Sequence, residues 1–329
     1  MFLVVFGHVE LFGFSVARSF LGSLFLSFRM PMFFFISGFI AYKITQWDWS
    51  YYKQVLKKKA IVQLIPTLFF FYLFSACHGD FDLLSIFTKG PQGYWFTVVL
   101  FYMFFIYYTV MFFCKSHKSW TSDIILIVLS LIGAFAYIGG MKFYDLNYYP
   151  ILCLINLSRY FEFFVFGILC RKYQKRFLDI ISSDLIKSIL FLSFIIVLYL
   201  DWNKVLVSYY FFHILNHEFI RRFIGLLFVY SIFYNYKDFY DSENPIAHGL
   251  RFVGRRTLDI YMIHYFLIPD LVSYRSVLLG ALTPQNTILE FFVVLLFASL
   301  IIAMSLLISA IIRSSSTLGH YLLGVKITK

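Results

Sequence analysis

Six ionisable residues sit in largely apolar stretches: His8 and Glu10 in FLVVFGHVELFG, Arg29 in FRMPMFFFISGFIA, Arg159 and Glu162 in SRYFEFFVFG, and His264 in IYMIH. At bilayer depth such a group costs several kcal/mol unless it is paired or faces a polar cavity, so each is a candidate for function. A neutral imidazole within hydrogen-bond reach of a hydroxyl can take its proton as the oxygen attacks. A guanidinium beside it can hold the negative charge that develops. His8 and Arg29 are the residues whose types fit that chemistry. Blander readings stand beside it. His8 is also able to pack, His264 to hydrogen-bond a neighbouring helix, Glu10 to be solvated near the outer surface, and Arg159 and Glu162, three apart on one face, to neutralise each other.

The elements that would carry these residues are membrane helices. Hydrophobic residues make up 61% of the 329 and charged ones 14%, too few charges for a soluble domain. Cutting at polar and Gly/Pro-rich stretches leaves about ten apolar runs near bilayer-spanning length: 1–14, 22–43, 61–78, 95–114, 122–140, 150–170, 186–201, 221–236, 256–272 and 287–312. The stretch VLVSYYFFHILNHEF, with His213 and His217, reads as re-entrant or interfacial. The net charge of +11 is assigned to loops rather than to nucleic-acid binding, because no soluble basic domain is left over. With both termini in the cytoplasm, nineteen Lys and Arg fall inside. Seven fall outside, namely Arg18, Lys89, Lys142, Lys204, Arg221, Arg222 and Arg275. The four cysteines lack metal-ligand or redox spacing and read as small core residues. No metal is expected.

The ordered motifs carry a resemblance. VVFGH, then Arg29-Met30-Pro31 with Ser37-Gly38, IPTLFFFY, GYWF from Gly93 to Phe96, FVFGIL from Phe164 and FVGRRTLDIYMIH from Phe252 together resemble the acyltransferase 3 family, and within it the stand-alone sugar O-acetylases. The resemblance implies an all-helical bundle of about ten spans over a single domain, 1–329. It implies transfer of an acyl group, usually acetyl from cytoplasmic acetyl-CoA, to a hydroxyl of a cell-envelope glycan or its lipid-linked precursor. The expected setting is the bacterial inner membrane. Acetyl-CoA is a substrate there, and no cofactor is expected to stay bound. His8 matches the family's essential histidine, and Arg29 its polar position before Met-Pro. In this sequence Lys57-Lys58-Lys59 stands where the family has an Arg-x-x-Arg pair; a lysine attracts phosphate as a point charge but lacks the bidentate fork.

These readings set the expectations. His8 is the general base and Arg29 its electrostatic partner. Lys57, Lys58, Lys59, Arg171, Lys172, Arg255 and Arg256 form a funnel for the donor phosphates. Glu10, Ser37, Trp95, Arg159, Glu162 and His264 line the cavity. An acidic partner for His8 would have to come from another span, since Glu10 cannot share its helix face. A helix from Met1 to Gly13 rises only about 20 Å against a hydrocarbon core of about 30 Å, so the natural first span is expected to begin further upstream. The competing reading, a polysaccharide or lipid-linked glycan transporter or flippase, shares the spans and the cavity-facing charges. It accounts for neither the cationic inner loops nor the histidine ahead of Arg-Met-Pro.

Overall fold

In a computed structural model, residues 1–15, 20–79, 81–88, 90–140, 152–203, 205, 210–274, 278 and 287–325 are described. Arg18, Lys89, Lys142, Lys204, Arg275, Lys326 and Lys329, all counted in the charge asymmetry, lie outside them. Every regular element among the described residues is helical. Six helices there are long and apolar enough to cross a membrane: Gly22–Ala41, Trp49–Cys77, Trp95–Phe113, Trp120–Gly140, Asp184–Trp202 and Ile288–Ser314. The remaining apolar runs also coincide with helices but carry charge or are short. Leu154–Lys172 contains Arg159 and Glu162, Arg221–Asn235 has 15 residues, and Thr257–Ile263 has seven before a 3-10 turn at His264–Leu267. The protein is a multi-pass membrane protein.

The chain divides into two compact units. The first joins Met1–Arg29 to Tyr236–Lys329. Its opening helix, Phe2–His8, passes without a break into a π-helical turn at Val9–Gly13, a local widening that is common at functional sites. Val5, Phe6, Val9 and Phe14 pack with Ile260, Val294, Ala298, Ile301 and Ile302, burying this helix along the long Thr287–Ser314 helix and beside Thr257–Ile263. The Leu271 amide donates to the Gly13 carbonyl at 2.8 Å, tying the segment after His264 to the end of the π turn. Asp259, 1% exposed, anchors the base of this unit. It accepts two bonds from Arg313 at 2.7 and 2.8 Å and one from Ser309 at 2.5 Å.

The second unit, Met30–Asn235, is built around Leu154–Lys172. That helix packs on Ser119–Gly140 and on Trp95–Phe113, which in turn lies along Trp49–Cys77. Its crossing with Arg29–Ala41 is set by two glycines: a Cβ on Gly38 would strike the Phe164 carbonyl, and one on Gly167 the Phe35 carbonyl. Small residues let two backbones approach where lipid gives no hydrophobic drive to hold helices together. Gly38 makes this close approach, with Gly167 as its counterpart. Pro31 sits in the first turn of Arg29–Ala41, where its missing N–H costs nothing, and the chain breaks at Ser27–Phe28 just before it.

Three expectations need correction. Lys57, Lys58 and Lys59 are not in a loop. Asp48 caps a helix that starts at Trp49, twelve residues before the expected span, by accepting from the Tyr51 amide at 2.6 Å. Pro66, expected near the start of that span, consequently lies inside the helix. Arg221 and Arg222 do not belong to an outer loop; both are 1% exposed, because buried carboxylates pair with them. Of the stretch from Val205 to Phe219, 206–209 lie outside the described residues, and the rest is not a separate piece. Tyr210–Ile214 continues through a π turn, Leu215–Ile220, into Arg221–Asn235.

Candidate active site

His8 ends the α-helical part of the first helix, where the π turn begins. Its Nδ1 lies 2.8 Å from Nε2 of His264, with the two rings nearly parallel at an interplanar angle of 10°. His264 in turn bonds the Ile260 carbonyl through Nδ1 at 2.9 Å, one helical turn back. It is fully buried, whereas His8 is only partly so. On the other side of the His8 ring, the Tyr265 hydroxyl stands 3.4 Å from Nε2. His264 thus does bond a neighbouring helix, as one of its two readings held, and the helix it reaches is the one carrying His8. The partner of His8 found here is an imidazole. No described hydrogen bond joins His8 to an acid.

Arg29 also reaches the first helix. Its Nη1 donates to the Leu3 carbonyl at 3.1 Å, and its guanidinium lies on Gly7, so closely that any side chain at position 7 would collide with it. A glycine immediately before His8 therefore admits the cation to the backbone at His8. Glu10 is 4% exposed rather than solvated near the outer surface, because the π turn directs it inward with Val9 and Gly13.

Arg159 and Glu162 do not pair with each other. Arg159 makes a bidentate pair with Glu218 at 2.6 and 2.7 Å, and Arg222 bonds the same carboxylate at 2.8 Å. The geometry of a fork on a carboxylate outweighs the poorer i,i+3 contact. Asp201 similarly collects Arg221 and, at 2.6 Å, His217. Both oxygens of Glu162 are buried without a hydrogen-bond partner among the described residues. Trp95 stacks on Tyr160 at 5.9 Å and 15°, and Tyr160 lies under both Arg159 and Arg222. Ser37 is half-buried beside the Gly38 crossing. Sequence reasoning missed Glu218 and Asp201. The i,i+4 spacing of Glu218 and Arg222 in NHEFIRR was the available signal.

The residues of the expected donor funnel are distributed over both units. Lys172 is held by Asp123 at 2.6 and 2.7 Å, and the Tyr173 hydroxyl donates to the same carboxylate at 2.8 Å. Arg171 is exposed and bonds Gln174. Lys59 turns onto the Phe104 ring, 3.4 Å from its centre, while Lys57 and Lys58 stay exposed. Arg255 and Arg256 belong to the other unit, where Arg256 lies 3.6 Å from Asp259. What the second unit does contain is a cavity of about 540 Å³ whose wall carries Lys43, Lys115, His117, Lys118 and Lys172, with Asp123 the only carboxylate among its lining residues. Lys43, Lys115 and Lys118 lie in two short, cation-bearing connections that bring them together.

Residues 1–312 match the family model for the acyltransferase domain of the acyltransferase 3 family, and the chain belongs to that family. It is a membrane acyltransferase, which sets the transporter reading aside. No curated protein and no solved structure matches it.

Proposed function

We propose that this acyltransferase moves an acetyl or closely related acyl group from cytoplasmic acyl-CoA to a hydroxyl of a cell-surface glycan or its lipid-linked precursor, in a bacterial inner membrane. The observation that carries the reading is the partly exposed His8, hydrogen-bonded through Nδ1 to a buried imidazole, with Arg29 against the preceding glycine. The acceptor O–H bond breaks and its proton passes to His8 as the oxygen bonds the thioester carbonyl carbon. The carbon–sulfur bond then breaks, and the departing thiolate takes the proton up. Arg29 supports the oxyanion between these steps or, where the acceptor lies nearer to it, holds the acceptor.

The phosphates of the donor are assigned to the cavity bearing Lys43, Lys115, His117, Lys118 and Lys172, with Lys57 and Lys58 adding to the attraction from outside. Each cation near a membrane surface contributes about 1 kcal/mol to attracting a polyanion, and salt weakens it. The excess of Lys and Arg on the side assigned to the cytoplasm supports a cytoplasmic donor side. The test compares envelope glycans from cells with and without the gene by mass spectrometry. Loss of one acyl mass from a defined sugar supports the proposal, and unchanged glycans from an expressed protein would sink it.

A further inference from the structure

We propose that His264 is the positioning residue that selects the tautomer of His8, leaving Nε2 of His8 as the bare, proton-accepting nitrogen. The inference rests on the reading of His8 as the base. The Ile260 oxygen can only accept, so His264 Nδ1, 2.9 Å away, carries a proton. A second proton on Nε2 would place a cation in a fully buried site whose described hydrogen bonds go to a carbonyl and an imidazole, which is the costly alternative. His264 is therefore neutral, with a lone pair on Nε2. The contact of 2.8 Å to His8 then requires that His8 Nδ1 donate. A neutral His8 that spends its single ring proton on Nδ1 has none on Nε2.

Nε2 of His8 is thus a base by construction. Its present neighbour, the Tyr265 hydroxyl at 3.4 Å, is a donor in the direction from which an acceptor hydroxyl would present its proton. The arrangement gives His264 the orienting role that a buried carboxylate plays in a serine-type triad. When Nε2 of His8 takes the acceptor proton, the Nδ1 proton stays on His8, and its hydrogen bond to Nε2 of His264 supports the imidazolium. The Nε2 proton then passes to the thiolate leaving group. Being 0% exposed, His264 cannot itself touch the substrate.

The experiment measures kcat and KM for both substrates on purified wild type, His8→Ala, His264→Leu and His264→Gln. His264→Leu should lower kcat by about 10² to 10⁴ with both KM values within about threefold. His264→Gln, whose side-chain oxygen can accept the same bond, should recover at least about tenfold of that loss. A leucine variant within about threefold of wild-type kcat, or a glutamine variant no better than leucine, overturns the role. Should the leucine variant fail to fold, ¹⁵N spectra of histidine-labelled wild type, assigned by the His8→Ala protein, decide. A protonated Nδ1 and bare Nε2 on His8 support the inference, and the reverse tautomer overturns it. Full activity of His8→Ala would instead overturn the reading on which it rests.

Discussion

A histidine in an apolar helix is ambiguous until its second nitrogen is accounted for. At His8 both ring nitrogens have partners of different kinds, a buried imidazole at Nδ1 and a more distant hydroxyl at Nε2, so the ring is held at one end and open to exchange at the other. His8→Ala should leave the protein inserted and expressed while glycan acylation falls by at least about 10², measured on the released glycans. Near wild-type acylation would show that the imidazole only packs. Gly7 matters for the same site. Gly7→Ala should displace the Arg29 guanidinium and lower activity even though His8 is intact, read as a fall in kcat without loss of folded protein. His8 was legible in the sequence because an imidazole in an apolar run stands out. Its partner was not, since 256 residues separate it from His264 and only packing brings the two helices together.

Helices with short side chains at their crossings leave little room for error. Gly38→Ala puts a methyl group against the Phe164 carbonyl, which is backbone and cannot swing away, so the Arg29–Ala41 helix must shift. Overpacking of this kind costs about 1–3 kcal/mol, and thermal unfolding in detergent should show a lowered midpoint. The buried ion pairs make a second demand on the same bundle. Glu218 is the counter-charge for both Arg159 and Arg222, and Glu218→Gln leaves a half-buried and a buried cation facing a neutral amide. A loss of about 3 kcal/mol is expected. The doubly neutral Arg159→Met with Glu218→Gln should not recover it, because Arg222 remains. The loop cations are separable from this. Lys115→Gln with Lys118→Gln should raise KM for the acyl-CoA donor at low salt, with kcat little changed and the difference shrinking as salt increases. An unchanged KM would remove the cavity from the donor's path.

For the molecule as a whole, the charge asymmetry makes a claim about sidedness. A reporter joined after His117, in the connection between Trp95–Phe113 and Ser119–Gly140, should behave as cytoplasmic. Activity of a periplasm-only reporter at that point would reverse the orientation and take the cytoplasmic donor with it.

The sequence by itself determined the helical class, the placement of most apolar runs, the family through its ordered motifs, and His8 with Arg29 as the residues of interest. These are legible because hydropathy and motif order are local properties, each read within one helix's length. Tertiary structure decided what local order could not. Arg159 chose Glu218 over the nearer Glu162 because a forked, two-bond pair is stronger than an i,i+3 contact. Lys57–Lys59 became part of a helix because a cap at Asp48 outweighed the charges that had suggested a loop. His264 became the partner of His8 because two helices far apart in the chain pack together and bring their ring nitrogens within hydrogen-bond distance.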